Sequence, residues 1–172
     1  MIIIAYNKPS GIVCTTEKVE GNIIDAVRHP QPLIPIGRLD KDSEGLILLT
    51  DTGSIINKII NPDFGHDKEY EVTVNLPLRN RFLKEMEAGV NIGDAITLPC
   101  KAIAVPNTRR SFRIVLQQGL NRQIRRMCTK LGYQVIKLQR VRVLNIHLGK
   151  LKLGEWRQLT EAEVSELVQL IA

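Results

Sequence analysis

The pattern of apolar and polar positions predicts a chain of short strands with helices between them. The first residues, Met1 to Tyr6, form an apolar run typical of an opening strand. The last helix has the clearest start, because Thr160 and Glu163 have the spacing of a capping box. The predicted strands are Ile2–Asn7, Leu46–Thr50, Glu69–Val74, Ile96–Val105, Phe112–Gln117 and Val135–Leu144. The predicted helices are Asn22–Arg28, Gly53–Ile60, Arg79–Ala88, Arg122–Leu131 and Glu161–Ile171.

This order of elements indicates the fold class. Strands and helices do not alternate regularly, so the prediction is α+β rather than a doubly wound α/β fold. A chain of 172 residues with 44% hydrophobic content is large enough for one core, and we predict a single domain over residues 1–172. No segment has the length of a membrane span, and the N-terminus lacks the features of a signal peptide.

Cysteine and histidine positions indicate the compartment and argue against a metal site. The three cysteines, Cys14, Cys100 and Cys128, are odd in number and far apart, which is typical of a reduced, cytosolic protein. The three histidines are equally scattered, and no cluster has metal-ligand spacing. We therefore predict no zinc site.

Charge is distributed unevenly along the chain. No Asp or Glu occurs between Ala95 and Gly154, whereas 13 of the 24 Lys and Arg residues lie there. The remainder of the chain carries 11 basic and 18 acidic residues. A strongly cationic segment favours a polyanionic partner, RNA or DNA, through neutralisation of phosphates.

A polar turn carrying Arg38 and Asp40 joins two apolar stretches, Leu33–Ile36 and Leu46–Leu49, that we expect to be strands. A carboxylate in such a turn can serve as a nucleophile or general base, with Arg38 nearby to keep it ionised. The simpler alternative is a solvated turn, since most acidic residues between strands have no chemical role.

Two metal-based interpretations of the same turn are weaker. Acidic residues from Asp40 to Asp51 have the spacing of a calcium-binding EF-hand loop, but the later loop positions are predicted to be a buried strand. A magnesium site built from Asp40 and Asp42, as in a nuclease, lacks a further acidic ligand.

The strand that follows His66 places two functional groups on one face. Side chains alternate along a strand, so Lys68, Tyr70 and Val72 share a face that continues into the core. A tyrosine ring and an ammonium at the edge of the core offer a stacking surface for a flat base. Taken alone, this segment is better explained by a core tyrosine beside a lysine that reaches solvent.

The predicted helix Arg122–Leu131 has one apolar stripe and one basic face. Arg122 and Arg126 lie on the basic face and are predicted phosphate contacts, while Arg125 lies at the border and is predicted to reach inward to an acid. The turn at Asn121, before the helix, is a candidate anion site. An ordinary amphipathic basic helix shows the same pattern.

Taken together, these segments resemble the pseudouridine synthases, and more narrowly their RsuA family. The similarity extends over essentially the whole chain, and the segments occur in the family's order. They are Lys8–Gly11, Gly37–Leu46, Lys68–Tyr70, Gly119–Met127 and Gly154–Leu159.

The resemblance implies a fold and an activity. The fold would be a mixed, mainly antiparallel sheet with flanking helices and a central catalytic cleft. The activity would be conversion of a specific uridine to pseudouridine in 23S ribosomal RNA, and also in tRNA, by a cytoplasmic enzyme without cofactor or metal. The S4 domain that many members carry before the first strand is not present in this sequence. We expect a monomer.

The resemblance also assigns roles. Asp40 would be the nucleophile, attacking either C1′ of the ribose or C6 of the base. Tyr70 would stack on the flipped base and take part in removing the proton from C5, and Arg125 would pair with Asp40. The alternative is a non-catalytic RNA-binding or RNA-chaperone module that uses residues 95–154. For the pseudouridine synthase, the expected substrate contacts are Arg38, Lys68, Asn121, Arg122 and Arg126.

Overall fold

A single nine-stranded sheet organises the protein, as seen in a computed structural model that describes residues 1–172. The strands are β1 (Ile3–Lys8), β2 (Ile34–Ile36), β3 (Glu44–Thr50), β4 (Lys68–Val74), β5 (Lys101–Ala104), β6 (Ser111–Leu116), β7 (Val135–Val143), β8 (Ile146–His147) and β9 (Trp156–Gln158). The helices are α1 (Ile23–Val27), α2 (Ile56–Ile60), α3 (Phe82–Glu87), α4 (Gln123–Lys130) and α5 (Glu161–Leu170).

The strand order is β5-β6-β4-β7-β3-β1-β9, with β2 added to β3 and β8 added to β7. Every pairing is antiparallel except that of β3 with β7, which is parallel. The predicted α+β class with a mixed, mainly antiparallel sheet is therefore confirmed.

The parallel pairing of β3 with β7 joins two halves of the sheet, and it depends on Gly45. Two residue pairs make this contact, Glu44 with Gln139 and Gly45 with Arg140. A Cβ on Gly45 would overlap the carbonyl oxygen of Arg140 and lie 2.6 Å from its nitrogen. Gly45 also has φ of 108°, which favours glycine. No other residue fits at this junction without separating the strands.

The two halves bury their apolar residues differently. Around β1 and β3 both faces are covered, one by α2 and α5 and the other by α1. Around β4 and β6 one face packs against α3 and α4. The opposite face carries charged ladders such as Arg113 with Glu69 and Glu71. The junction between the halves is thus a natural place for a cleft.

Several predicted boundaries were wrong. The predicted strand Ile96–Val105 is reduced to β5, because the Thr97 hydroxyl accepts a hydrogen bond from the Val90 nitrogen and folds the segment back toward α3. The predicted helix Gly53–Ile60 begins as a 3₁₀ turn before α2. Strands β8 and β9 were not predicted, since two or three residues are too short to show a period.

The capping box at the start of α5 is confirmed. Glu163 accepts a hydrogen bond from the Thr160 nitrogen, and the Thr160 hydroxyl accepts one from the Glu163 nitrogen. Arg157 adds two hydrogen bonds to the same carboxylate, and together these contacts lower the pKa of Glu163 to about 2. None of the helices has the length and apolar character needed to cross a bilayer.

Candidate active site

A cleft of about 400 Å³ opens at the junction of the two half-sheets. Asp40 lies in the loop between β2 and β3, as the sequence predicted, and its carboxylate is well exposed at 42%. The opposite walls are Tyr70 from β4 and the N-terminal end of α4. Of the predicted site residues, the cleft brings together Arg38, Asp40, Tyr70, Asn121 and Arg122.

Lys8 fixes the loop that carries Asp40. The Lys8 side chain is fully buried, and its Nζ donates hydrogen bonds to the carbonyl oxygens of Pro9, at 3.0 Å, and Lys41, at 3.2 Å. The Gly11 nitrogen donates to the same Lys41 carbonyl at 2.7 Å. Burial lowers the pKa of Lys8, while nearby acidic groups including Asp40 partly oppose this. The Lys8–Gly11 segment, which is a weak motif in the sequence, thus holds the backbone of Lys41, the residue that follows Asp40.

Cys14 contacts the loop on its other side. The thiol is buried, and its Sγ accepts a hydrogen bond from the Leu39 nitrogen at 3.4 Å. Asp40 is therefore flanked by two backbone groups, at Leu39 and Lys41, that buried side chains hold in place. This contact could not be predicted from the pattern of residues, because Cys14 is separated from Leu39 by 25 positions.

The structure does not show the predicted pairing of Arg125 with Asp40, which stays a prediction. Arg125 Nη2 donates to the Asp42 carbonyl and to the Ser43 hydroxyl, both at 3.2 Å, and lies 3.7 Å from the Asp42 carboxylate. Its Nε is buried without a partner. The cation nearest Asp40 is instead Arg122, whose Nη1 lies 3.6 Å from Asp40 Oδ2.

Arg122 differs from prediction because it precedes the helix. Its backbone is left-handed, with φ of 48° and ψ of 38°, and α4 starts at Gln123. A helical wheel that includes Arg122 therefore misplaces its side chain. The guanidinium binds Asp42 through two hydrogen bonds of 3.0 and 2.9 Å, and this contact lowers the pKa of Asp42.

Arg125 and Arg126 do not line the cleft; they border a neighbouring depression on α4. Arg126 is bound to the Asp94 carboxylate and to the Ile92 carbonyl. Other cations of the acid-free segment also pair with acids from outside it, as Arg142 does with Glu69. Acidic side chains from the rest of the chain therefore neutralise part of the positive charge of this segment.

Tyr70 separates the cleft from a second cavity of about 260 Å³. Lys68 lines this second cavity together with Tyr70, so their predicted common face is confirmed. Glu69 points to the opposite face, where it binds Arg113 and Arg142.

Arg140 also lines the second cavity, although the sequence pattern did not distinguish it from the other cations of the acid-free segment. It is 4% exposed, in the middle of β7, and its Nε donates to the Leu46 carbonyl at 2.8 Å. The sequence does contain an indication that Arg140 is buried, because Leu138 and Arg140 fall on the same face of a strand and Leu138 is apolar.

The metal-based interpretations of the Asp40 turn find no support in the fold. Residues 46–49 form the buried interior of β3, so they supply no ligands to a calcium loop. No group of three or more His, Cys, Asp or Glu side chains is placed to hold a metal ion. Asp42 instead anchors Arg122 and Arg125.

Comparison with known proteins assigns this architecture to a family. Residues 2–130 match the family described as RNA pseudouridylate synthase. The chain is 51% identical to the dual-specificity RNA pseudouridine synthase RluF of Escherichia coli strain K12, covering 99% of this chain and 59% of that protein. It is 34% identical to the ribosomal large subunit pseudouridine synthase B of Bacillus subtilis, covering 93% of this chain and 68% of that protein.

A solved structure agrees with the sequence comparisons. A crystal structure of a pseudouridylate synthase superposes with a TM-score of 0.88 at 29% identity, covering 96% of this chain and 73% of that one. The chain spans about three fifths of the length of its RluF relative, which is 59% covered. Because the family match covers residues 2–130 and the Bacillus subtilis relative is 34% identical over 68% of its own length, the chain belongs to the RNA pseudouridylate synthase family.

Proposed function

We propose that this chain is an RNA pseudouridine synthase of the cytoplasm that modifies uridine in ribosomal RNA, with tRNA as a second substrate. The observation that carries the proposal is the Asp40 carboxylate, open to the cleft and facing Tyr70. The relatives support the same activity: one is named a dual-specificity RNA pseudouridine synthase and another a large ribosomal subunit pseudouridine synthase.

The proposed reaction is an isomerisation in which Asp40 is the nucleophile. A uridine must first leave its helix, because the cleft accepts a base only from an extruded nucleotide. Attack by Asp40 at C1′ or at C6 allows the bond between N1 and C1′ to break. The uracil turns, C5 bonds to C1′, and the bond between Asp40 and C1′ or C6 breaks, which returns the free carboxylate. C5 then loses its proton and N1 gains one. No atom is gained or lost, and Tyr70 stacks on the base throughout.

Arg125 and Arg122 are proposed to orient Asp40 once RNA is bound. In the free protein both contact Asp42, which lies two residues from the nucleophile. The buried Nε of Arg125 has no partner, and a small movement toward Asp40 would supply one. Charge-assisted contacts of this kind favour the ionised carboxylate.

The remaining predicted contacts are proposed to hold the RNA. Arg38 and Asn121 line the cleft beside Asp40, and Lys68 lies behind Tyr70. Arg126 would reach a phosphate by exchanging its ion pair with Asp94. Each of these contacts would add to the salt dependence of RNA affinity.

The test compares wild type with Asp40→Asn on ribosomal RNA and tRNA, with pseudouridine mapped chemically. Asp63→Asn makes the same chemical change on the exposed 3₁₀ turn Pro62–Phe64 and serves as the control. We expect wild type and Asp63→Asn to form pseudouridine and Asp40→Asn to form none while retaining RNA affinity. A wild-type protein that binds RNA but modifies none would instead favour the non-catalytic RNA-binding module.

A further inference from the structure

The second cavity, behind Tyr70, is lined by cations without any acid. Lys68, Arg140 and Arg38 contribute to its wall, and neither Asp nor Glu is among the lining residues. The cavity shares Arg38, Tyr70 and Gly119 with the cleft that contains Asp40. A group in the second cavity would therefore lie next to a uridine stacked in the first.

Arg140 carries a buried charge that the protein does not neutralise. The only hydrogen bond of its side chain runs from Nε to the Leu46 carbonyl, and the side chain forms no ion pair. Three buried polar side-chain atoms lack a partner, and neither terminal amino group of Arg140 is among them. These groups therefore open into the cavity. A largely desolvated charge without a counter-ion favours an anionic ligand that compensates it.

Lys68 adds a second uncompensated charge. Its Nζ donates no hydrogen bond and forms no ion pair, although the side chain is partly buried. Burial and the nearby charge of Arg140 both lower the pKa of Lys68. The two cations lie diagonally across paired strands, since β4 and β7 align Lys68 with Val143 and Tyr70 with Arg140, and both side chains line the cavity.

We propose that this cavity binds a backbone phosphate of the RNA next to the target uridine, held by Arg140 and Lys68. The inference rests on the proposed function and adds a specific anion site to it. A phosphodiester supplies a full negative charge and accepting oxygens, which match the flat fork of a guanidinium. A uracil carbonyl is neutral, and the cleft on the other side of Tyr70 already provides for the base.

The test measures dissociation constants for a short ribosomal RNA hairpin that wild type modifies. One linkage at a time, 5′ or 3′ of the uridine, is replaced by an uncharged methylphosphonate. We expect one of these replacements to weaken wild-type binding about tenfold, as expected for a lost charge-assisted hydrogen bond. The same replacement should weaken Lys68→Met and Arg140→Gln less than it weakens wild type, because each variant keeps only one of the two cations that hold the phosphate.

The controls separate folding and general electrostatics from the proposed contact. Lys68→Met removes no hydrogen bond, so it tests the site even if Arg140→Gln unfolds. Lys137→Met removes an exposed charge from the same strand as Arg140, and its response to the methylphosphonate should match that of wild type. An RNA with an abasic nucleotide in place of the uridine distinguishes a phosphate from a base carbonyl as the partner.

Two outcomes overturn the phosphate site. In the first, neither methylphosphonate weakens wild type more than it weakens Lys68→Met. In the second, the affinity loss caused by Lys68→Met disappears on the abasic RNA, which assigns the contact to the base. A wild-type protein that forms pseudouridine while either outcome holds retains the proposed function. Absence of pseudouridine from wild type contradicts the proposed function itself.

Discussion

Gly45→Ala should destabilise the protein far more than a single methyl group normally does. Gly45 lies where β3 and β7 pair in parallel, five residues after Asp40. The added Cβ would overlap the carbonyl oxygen of Arg140 and lie 2.6 Å from its nitrogen. Both atoms belong to the backbone of a central strand, so no side-chain rotation relieves the overlap.

The expected loss follows from two contributions. Alanine at a φ of 108° is strained by about 1–2 kcal/mol. Separation of β3 from β7 weakens the hydrogen bonds between them and the bond from Arg140 to the Leu46 carbonyl, at about 1 kcal/mol each. The free energy of unfolding should therefore fall by about 3–5 kcal/mol in total, adding these backbone and hydrogen-bond effects.

Urea unfolding followed by circular dichroism measures this loss, and two glycines serve as matched controls. Gly11 has φ of 100° and open space around its Cβ position. The loss of stability in Gly11→Ala should therefore come from backbone strain alone, without an atomic overlap. Gly53 has neither feature, and Gly53→Ala should change stability by less than about 1 kcal/mol. If Gly45→Ala were no less stable than Gly11→Ala, the close approach of the two strands would be refuted.

Three further predictions concern the supports of the site and the last helix. Lys8→Met should lower the free energy of unfolding by about 1–2 kcal/mol, measured in urea, because two carbonyls lose a buried donor. Cys14→Ala should lower kcat about fivefold with KM unchanged, and Cys14→Ser should restore it, since a hydroxyl also accepts the hydrogen bond. At pH 7, Glu163→Gln should lower stability by about 1–2 kcal/mol through loss of the Arg157 ion pair. Because the pKa of Glu163 is depressed to about 2, this difference should shrink as pH falls from about 5 toward 2, in urea unfolding at each pH.

Local features of the sequence were sufficient to predict most elements and part of the site. The capping box at Thr160, the turn at Asp40 and the common face of Lys68 and Tyr70 all depend on residues within a few positions of each other. Contacts of this range are set by backbone geometry and hydrophobic period, which a sequence displays directly.

The arginines illustrate what local reasoning misses. The helical period of α4 identified the buried stripe, but Arg122 lies one residue before the helix in a left-handed conformation. Its partner Asp42 is 80 positions away, and the partner of Arg126 is 32 positions away. Neither the exact helix start nor the identity of such partners can be read from a periodic pattern.

By itself, the sequence determined the fold class, the turn that presents Asp40, and the face that presents Tyr70. The tertiary structure decided how these parts are supported: Lys8 beneath the Asp40 loop, Arg122 in place of Arg125 beside Asp40, and Arg140 without a counter-ion behind Tyr70. The physical reason is that the energy of a buried charge depends on the groups that surround it. Those surroundings come from strands that meet only when the sheet is complete.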